Sequence, residues 1–373
     1  MPGHKPQAAF SKKLNERGKF HMRMRLTASR FVLPLLGCCI ASAPSILPAQ
    51  SAQQPMNYDG NPGGVHFIEE GQPPVMIHPT VEAARAAQQP HGAGKPSATA
   101  GNLYYHGGTS DGSAGTVGVE TAPKVYVVFW GSQWTNNDPS GEACILAGAA
   151  GCPSGVSKDF LGNVGGSLWN ATVTQYCQGV SSGSYTCNSG TPVGNSPSML
   201  AGFWFDNATS APSRPKQSQL AAEAVKAASH FGNTTATSNA TTQYVIATAH
   251  GNNSSGFGTQ YCAWHSSTTS SAGDVAYTNL PYITDAGSSC GANFNGLGPY
   301  AGITIVEGHE FAETETDQFP SSGWVDSSGS EIGDKCAWNS LTSSQTLNAG
   351  TYPVQPLWSN ADNGGSGGCV LSY

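Results

Sequence analysis

The chain has 373 residues, only 10% of them charged, with 47 glycines, 24 prolines and a formal net charge of -7. Eight of its 16 Lys and Arg residues fall in residues 1–50 against a single acid, whereas residues 51–373 carry eight basic and 22 acidic residues, a net -14. So acidic a body argues against nucleic acid or an anionic membrane as a partner held by bulk charge, and 38% hydrophobic residues argue against an acidic disordered tail.

The first segment reads as an export signal. A basic stretch ending at Arg23, Arg25 and Arg30 precedes the apolar run Phe31 to Ile40, and small residues follow at Ala41-Ser42-Ala43 and Ala49-Gln50-Ser51. Residues 1–52 are therefore expected to be a secretion signal, and the protein to be secreted, periplasmic or extracellular. Leu35-Leu36-Gly37-Cys38 also has the form of a lipobox, which would leave the chain lipid-anchored through Cys38. No later stretch offers 18 uninterrupted apolar residues, so the mature chain is expected to have no transmembrane span.

Eight cysteines remain after Cys38 and Cys39. An even number in an exported chain points to disulfides, and sequence proximity favours Cys144–Cys152, Cys177–Cys187, Cys262–Cys290 and Cys336–Cys369. No C-x-x-C pair is present, which counts against a cysteine zinc site or a redox centre.

Residues 53–100 are rich in Pro, Gln and Ala and read as a linker or pro-segment, with one short helical candidate at 81–88. Dense patterning begins near residue 101 and continues to 373 as a single domain. Lys124 to Trp130 (KVYVVFW) reads as a buried strand, 160–176 as a helix weakened by Gly165-Gly166, and 200–205 as a strand. Residues 218–231 then form an amphipathic helix pattern and 243–249 a second buried strand. Alternating strands and helices predict an α+β fold: a mixed sheet packed with helices, its loops stapled by disulfides.

Residues 301–317 (AGITIVEGHEFAETETD) predict the helix that carries chemistry. His309-Glu310-Phe311-Ala312-Glu313 is an H-E-x-x-E pattern. Positions i and i+4 share a helix face about 6 Å apart, so His309 and Glu313 can grip one ion while Glu310 faces a metal-bound water. This is the zincin arrangement of H-E-x-x-H metallopeptidases with a carboxylate in place of the second His. Asp317 lies about 12 Å along the axis from His309, too far to share the ion. The third ligand must come from elsewhere: Asp334 leads, Glu331 and Asp326 are downstream alternatives, and His250 and His265 upstream ones. Glu307, Glu315 and Asp317 are expected on a solvated face.

The blocks Tyr105-His106-Gly107-Gly108, KVYVVFWGSQW, GHEFAETETD and EIGDKC resemble, patchily between about residues 103 and 340, the plant EXORDIUM or phosphate-induced protein family and its exported bacterial relatives. That family's A-H-E-L-A-E run and E-I-x-D-x-C element fall on His309, Glu310, Glu313, Glu331, Asp334 and Cys336, with Gly308 where the family has Ala. The resemblance implies an extracellular protein.

Three functional readings follow. The first is an exported metal-dependent hydrolase, a peptidase, with Glu310 as the base and with zinc (calcium or manganese as alternatives) held by His309, Glu313 and Asp334, Glu331 being a further candidate ligand. Its partner would be an extracellular protein or cell-wall polymer, with His250, His265 and Trp264 as candidate substrate-binding residues. The second is a non-catalytic cell-wall or glycan-binding protein, using aromatic residues such as Trp130, Trp134, Trp264, Trp324 and Trp338. The third is a glycoside hydrolase that pairs Glu310 with a carboxylate such as Asp334.

Overall fold

A computed structural model describes residues 63–88, 101–135 and 137–373. The expected export signal and Cys38 lie outside them. Within them the chain is α+β, as its alternating patterns predict.

The main sheet has seven strands among the described residues: β1 (Val65–His66), β2 (Val75–Pro79), β3 (Lys124–Trp130), β4 (Leu200–Asp206), β5 (Thr242–Thr248), β6 (Tyr261–Ser270) and β7 (Gly273–Leu280). Their spatial order is β1-β2-β6-β7-β5-β3-β4. β7, β5, β3 and β4 pair in parallel, while β6 is antiparallel to both β7 and β2.

Side chains on a strand alternate between faces, and the apolar runs use both. Val128, Trp130, Tyr244, Ile246 and Tyr277 pack under the helix Gln217–His230 through its Leu220, Ala224 and Ala227. Val125, Val127, Phe129, Val245 and Ala247 face the opposite way, in the core built around the helix Ala301–Thr316, hereafter the site helix. The sheet is thus buried between helical layers.

Two expectations change. Part of segment 53–100 is integral to the fold rather than a linker: β2 is buried along its whole length and pairs with β6, and the helix expected at 81–88 forms as Val81–Gln88. The stretch 160–176 is not one helix. It forms Phe160–Val164, breaks at Gly165-Gly166, where Gly166 adopts φ 74°, and resumes as a 3₁₀ turn at Asn170–Gln175. The Ser/Thr-rich run after Cys262, with no apolar periodicity, is the β6–β7 hairpin; its pairing runs from Trp264↔Asn279 to Ser270↔Gly273.

All four expected disulfides form, with Cα separations of 5.1 to 5.8 Å. Two of them position the site. Cys262–Cys290 ties β6 to the turns leading into the site helix, and Cys336–Cys369 anchors the segment after Asp334 to the C-terminal strand Gly368–Val370. No helix among the described residues is long and apolar enough to cross a membrane.

Candidate metal centre

Every residue of the site helix is buried, carboxylates included. The helix is enclosed because glycine lets its neighbours come close: a Cβ on Gly308 would sit 3.2 Å from Phe160 and 3.3 Å from Trp169, and one on Gly302 would strike the Cys290 carbonyl. Alanine at 308, as the resembled family has, would press on both rings. Glu307, Glu315 and Asp317 are therefore not on a solvated face. Asn170 donates to Glu315 at 3.3 Å, and Asp317 accepts the backbone N–H groups of Ser321 and Ser322, fixing the turn after the helix. That turn begins the return of the chain to the helix through the segment 326–334.

His309 and Glu313 meet as their spacing predicts, His309 Nε2 lying 3.0 Å from Glu313 Oε1. Asp334 closes the group, with Oδ1 3.8 Å from His309 Nε2 and its backbone N–H donating to Glu313 Oε1 at 2.9 Å. One donor atom from each of the three residues lies within 4.8 Å of the other two. Gly333 is what allows this approach: a Cβ there would sit 2.6 Å from His309 Nδ1 and 2.9 Å from Glu313 Oε1.

Gln355 sets the tautomer of His309. Its Nε2 donates to the Gly333 carbonyl at 2.9 Å, which turns its Oε1 to accept from His309 Nδ1 at 3.3 Å. With the proton on Nδ1, the Nε2 lone pair faces two carboxylates, an arrangement suited to a cation between them. Ligands held about 2.1 Å from one tetrahedral ion stand roughly 3.4 Å apart, and the 3.0 and 3.8 Å separations bracket that spacing.

Two further histidines come from the sheet. His265 on β6 reaches Glu331 Oε2 at 3.0 Å and Glu313 Oε2 at 3.8 Å. His78 on β2 stacks on His309, ring centroids 3.9 Å apart and planes 4° from parallel, and a donor atom of each lies within 4.8 Å of one of Glu310. Glu310 also groups with His265 and Glu313. Both Glu310 oxygens, Glu313 Oε2, Glu331 Oε1, Asp334 Oδ1, His309 Nε2 and both His78 nitrogens lack a hydrogen-bond partner. So many unpartnered buried donors in one place are costly unless a cation compensates them.

Other candidates fall elsewhere. His250 is half-exposed, pairs with Asp285 and belongs to none of these groups. Trp264, next to His265 on β6, necessarily points to the other face and packs against Tyr277 in the core. Trp130, Trp134, Trp324 and Trp338 are buried too, and of these Trp134 borders a surface pocket beside Asp138, Ala143 and Phe205. Asp326 accepts from Ser328 and Ser330 and pairs with Lys335 at 2.7 Å, a turn-forming role. His78 was missed because composition marked its segment as linker; the signal was the apolar run Val75-Met76-Ile77 beside it.

Burial sets the protonation states. It lowers His309 to about 4 and His265 to about 3, and holds His78 low as well, so all three imidazoles are neutral and fit to ligate. Burial raises Glu313 to about 8, and burial with neighbouring carboxylates raises Glu310, Glu331 and Asp334 well above the usual range.

A sign follows for the metal-free protein. The histidines take up protons on unfolding below their ordinary 6.5, so their share of stability is lost as pH falls below that value. The carboxyls release protons on unfolding above their ordinary 4.5, so their share is lost as pH rises from there through 8. Above pH 6.5 only the carboxyl trend remains. Chelated protein is expected to lose melting temperature between pH 6.5 and 8, and metal-loaded protein to lose less. Glu120 and Glu142, raised to about 8 by burial away from these groups, act equally in both samples, so the difference between the two melting curves reports the site.

Compared with known proteins, the chain matches no family model, no curated protein and no solved structure.

Proposed function

We propose that the chain is an exported metal-dependent hydrolase, of the peptidase class, acting on an extracellular protein. The observation that carries this reading is the meeting of His309 Nε2, Glu313 Oε1 and Asp334 Oδ1 in a buried cluster beside an unpartnered Glu310. Imidazole with carboxylates suits zinc or manganese better than calcium, which prefers oxygen alone. When bound, the ion would polarise a carbonyl and lower the pKa of water toward about 7. His309, Glu313 and Asp334 would hold it, Gln355 would keep His309 in the ligating tautomer, and Glu310 would take the proton of the attacking water. Export is supported by the four disulfides and by the resemblance to the EXORDIUM family.

A second reading is a cation that staples the fold without turnover. It is favoured by the enclosure of the donors, since His309, Glu310 and Glu313 are wholly buried and Gly63 packs directly on Asp334. For hydrolysis, substrate entering past Asp334 would have to displace Gly63 and the residues beside it. The test is cleavage of casein by protein of measured metal content. Activity that disappears with chelator and returns with zinc supports the hydrolase. Stoichiometric metal with no cleavage of any protein substrate supports the staple.

A further inference from the structure

Glu313 turns its two oxygens toward two different sets of donors. Oε1 faces His309 Nε2 at 3.0 Å, and Asp334 Oδ1 lies 3.8 Å from the same nitrogen. Oε2 faces His265 Nε2 at 3.8 Å, and Glu331 Oε2 lies 3.0 Å from that nitrogen. Each set has one imidazole, one carboxylate from the 331–334 turn and one oxygen of Glu313, with the same pair of separations. The symmetry has a structural origin: Glu331 and Asp334 are three residues apart in one tight turn, and His265 and His309 approach from the sheet and the helix on either side of Glu313.

We propose that the site holds two divalent cations bridged by Glu313, the first on His309 and Asp334 and the second on His265 and Glu331. This rests on the metal-site reading above and extends it. With Glu310 and His78, seven donor side chains converge here, more than the four ligands a single zinc ion takes. Glu331 Oε1 and Glu313 Oε2 remain unpartnered although both residues are wholly buried, and both belong to the His265 side. Glu310 keeps its place as base, because it groups with His309 on one side and with His265 and Glu313 on the other. Two ions so bridged would clamp a substrate oxygen and the attacking water together, as two-metal hydrolytic sites do at spacings of about 3.5–4 Å.

The test is metal stoichiometry with a magnetic readout. Full-length protein is stripped of metal, loaded with Mn²⁺, desalted, and examined by elemental analysis and electron paramagnetic resonance. The expected result is two manganese ions per chain with the multiline signal of an exchange-coupled pair, falling in His265→Gln to one ion with the six-line signal of an isolated centre. One ion per chain in the parent protein overturns the second centre and leaves the one-ion reading standing. Two ions without coupling overturn the Glu313 bridge, and no bound ion overturns both readings. The parent protein decides the matter even if His265→Gln does not fold.

Discussion

Glu310→Gln is expected to lower kcat for peptide cleavage by about 10²–10⁴-fold, the usual worth of a general base, with KM little changed and metal content the same as in the parent. The substitution keeps volume and removes only the ability to take a proton. Glu310 lies outside the group formed by His309, Glu313 and Asp334, and glutamine keeps an oxygen toward the His78–His309 and His265–Glu313 groups, so bound metal should stay in place. Its oxygens hold no hydrogen-bond partner that the amide would forfeit, and replacing a carboxyl that burial keeps protonated until a cation binds beside it should not destabilise the fold. Casein cleavage by the variant at the parent rate would show that Glu310 is not the base.

His309→Ala carries the second large effect. It removes the nitrogen ligand of the first centre and the ring on which His78 stacks. Saturating metal at 100 times its Kd stabilises a protein by about 2.7 kcal/mol, which is read as a rise in melting temperature. The parent should show the full rise, and His309→Ala should lose the share of the first centre and keep at most that of a second ion on His265 and Glu331. Gln355→Leu removes the hydrogen bond that orients His309 and the one to the Gly333 carbonyl but leaves the ligands in place, so it should weaken metal affinity by about 10–100-fold without abolishing it. Equal metal-induced shifts in all three proteins would place the cation elsewhere.

The helical part of the site was legible because i and i+4 spacing on a helix fixes proximity whatever the surroundings; His309, Glu310 and Glu313 needed nothing more. Asp334 was legible as one of several carboxylates after the turn, since the requirement for an off-helix ligand is geometric, but only the close approach allowed by Gly333 separates it from Asp326. Burial was not legible. A helix with four acids normally faces water, and what hides this one is the fit of Phe160 and Trp169 against Gly308, made across distant segments. His78 and His265 depend on strand register, which brings Ala263 opposite His78 and Met76 opposite His265. Local composition carries no trace of that pairing. Trp264 and His265 are instructive as neighbours: strand alternation alone assigns them to opposite faces once the strand is known, so they could not both serve one pocket.

The most direct measurement is anomalous diffraction at the zinc edge from crystals of zinc-loaded, full-length protein. A peak is expected about 2.0–2.2 Å from His309 Nε2, Glu313 Oε1 and Asp334 Oδ1. A protein that carries zinc stoichiometrically yet shows no peak among these three atoms would contradict a metal centre there.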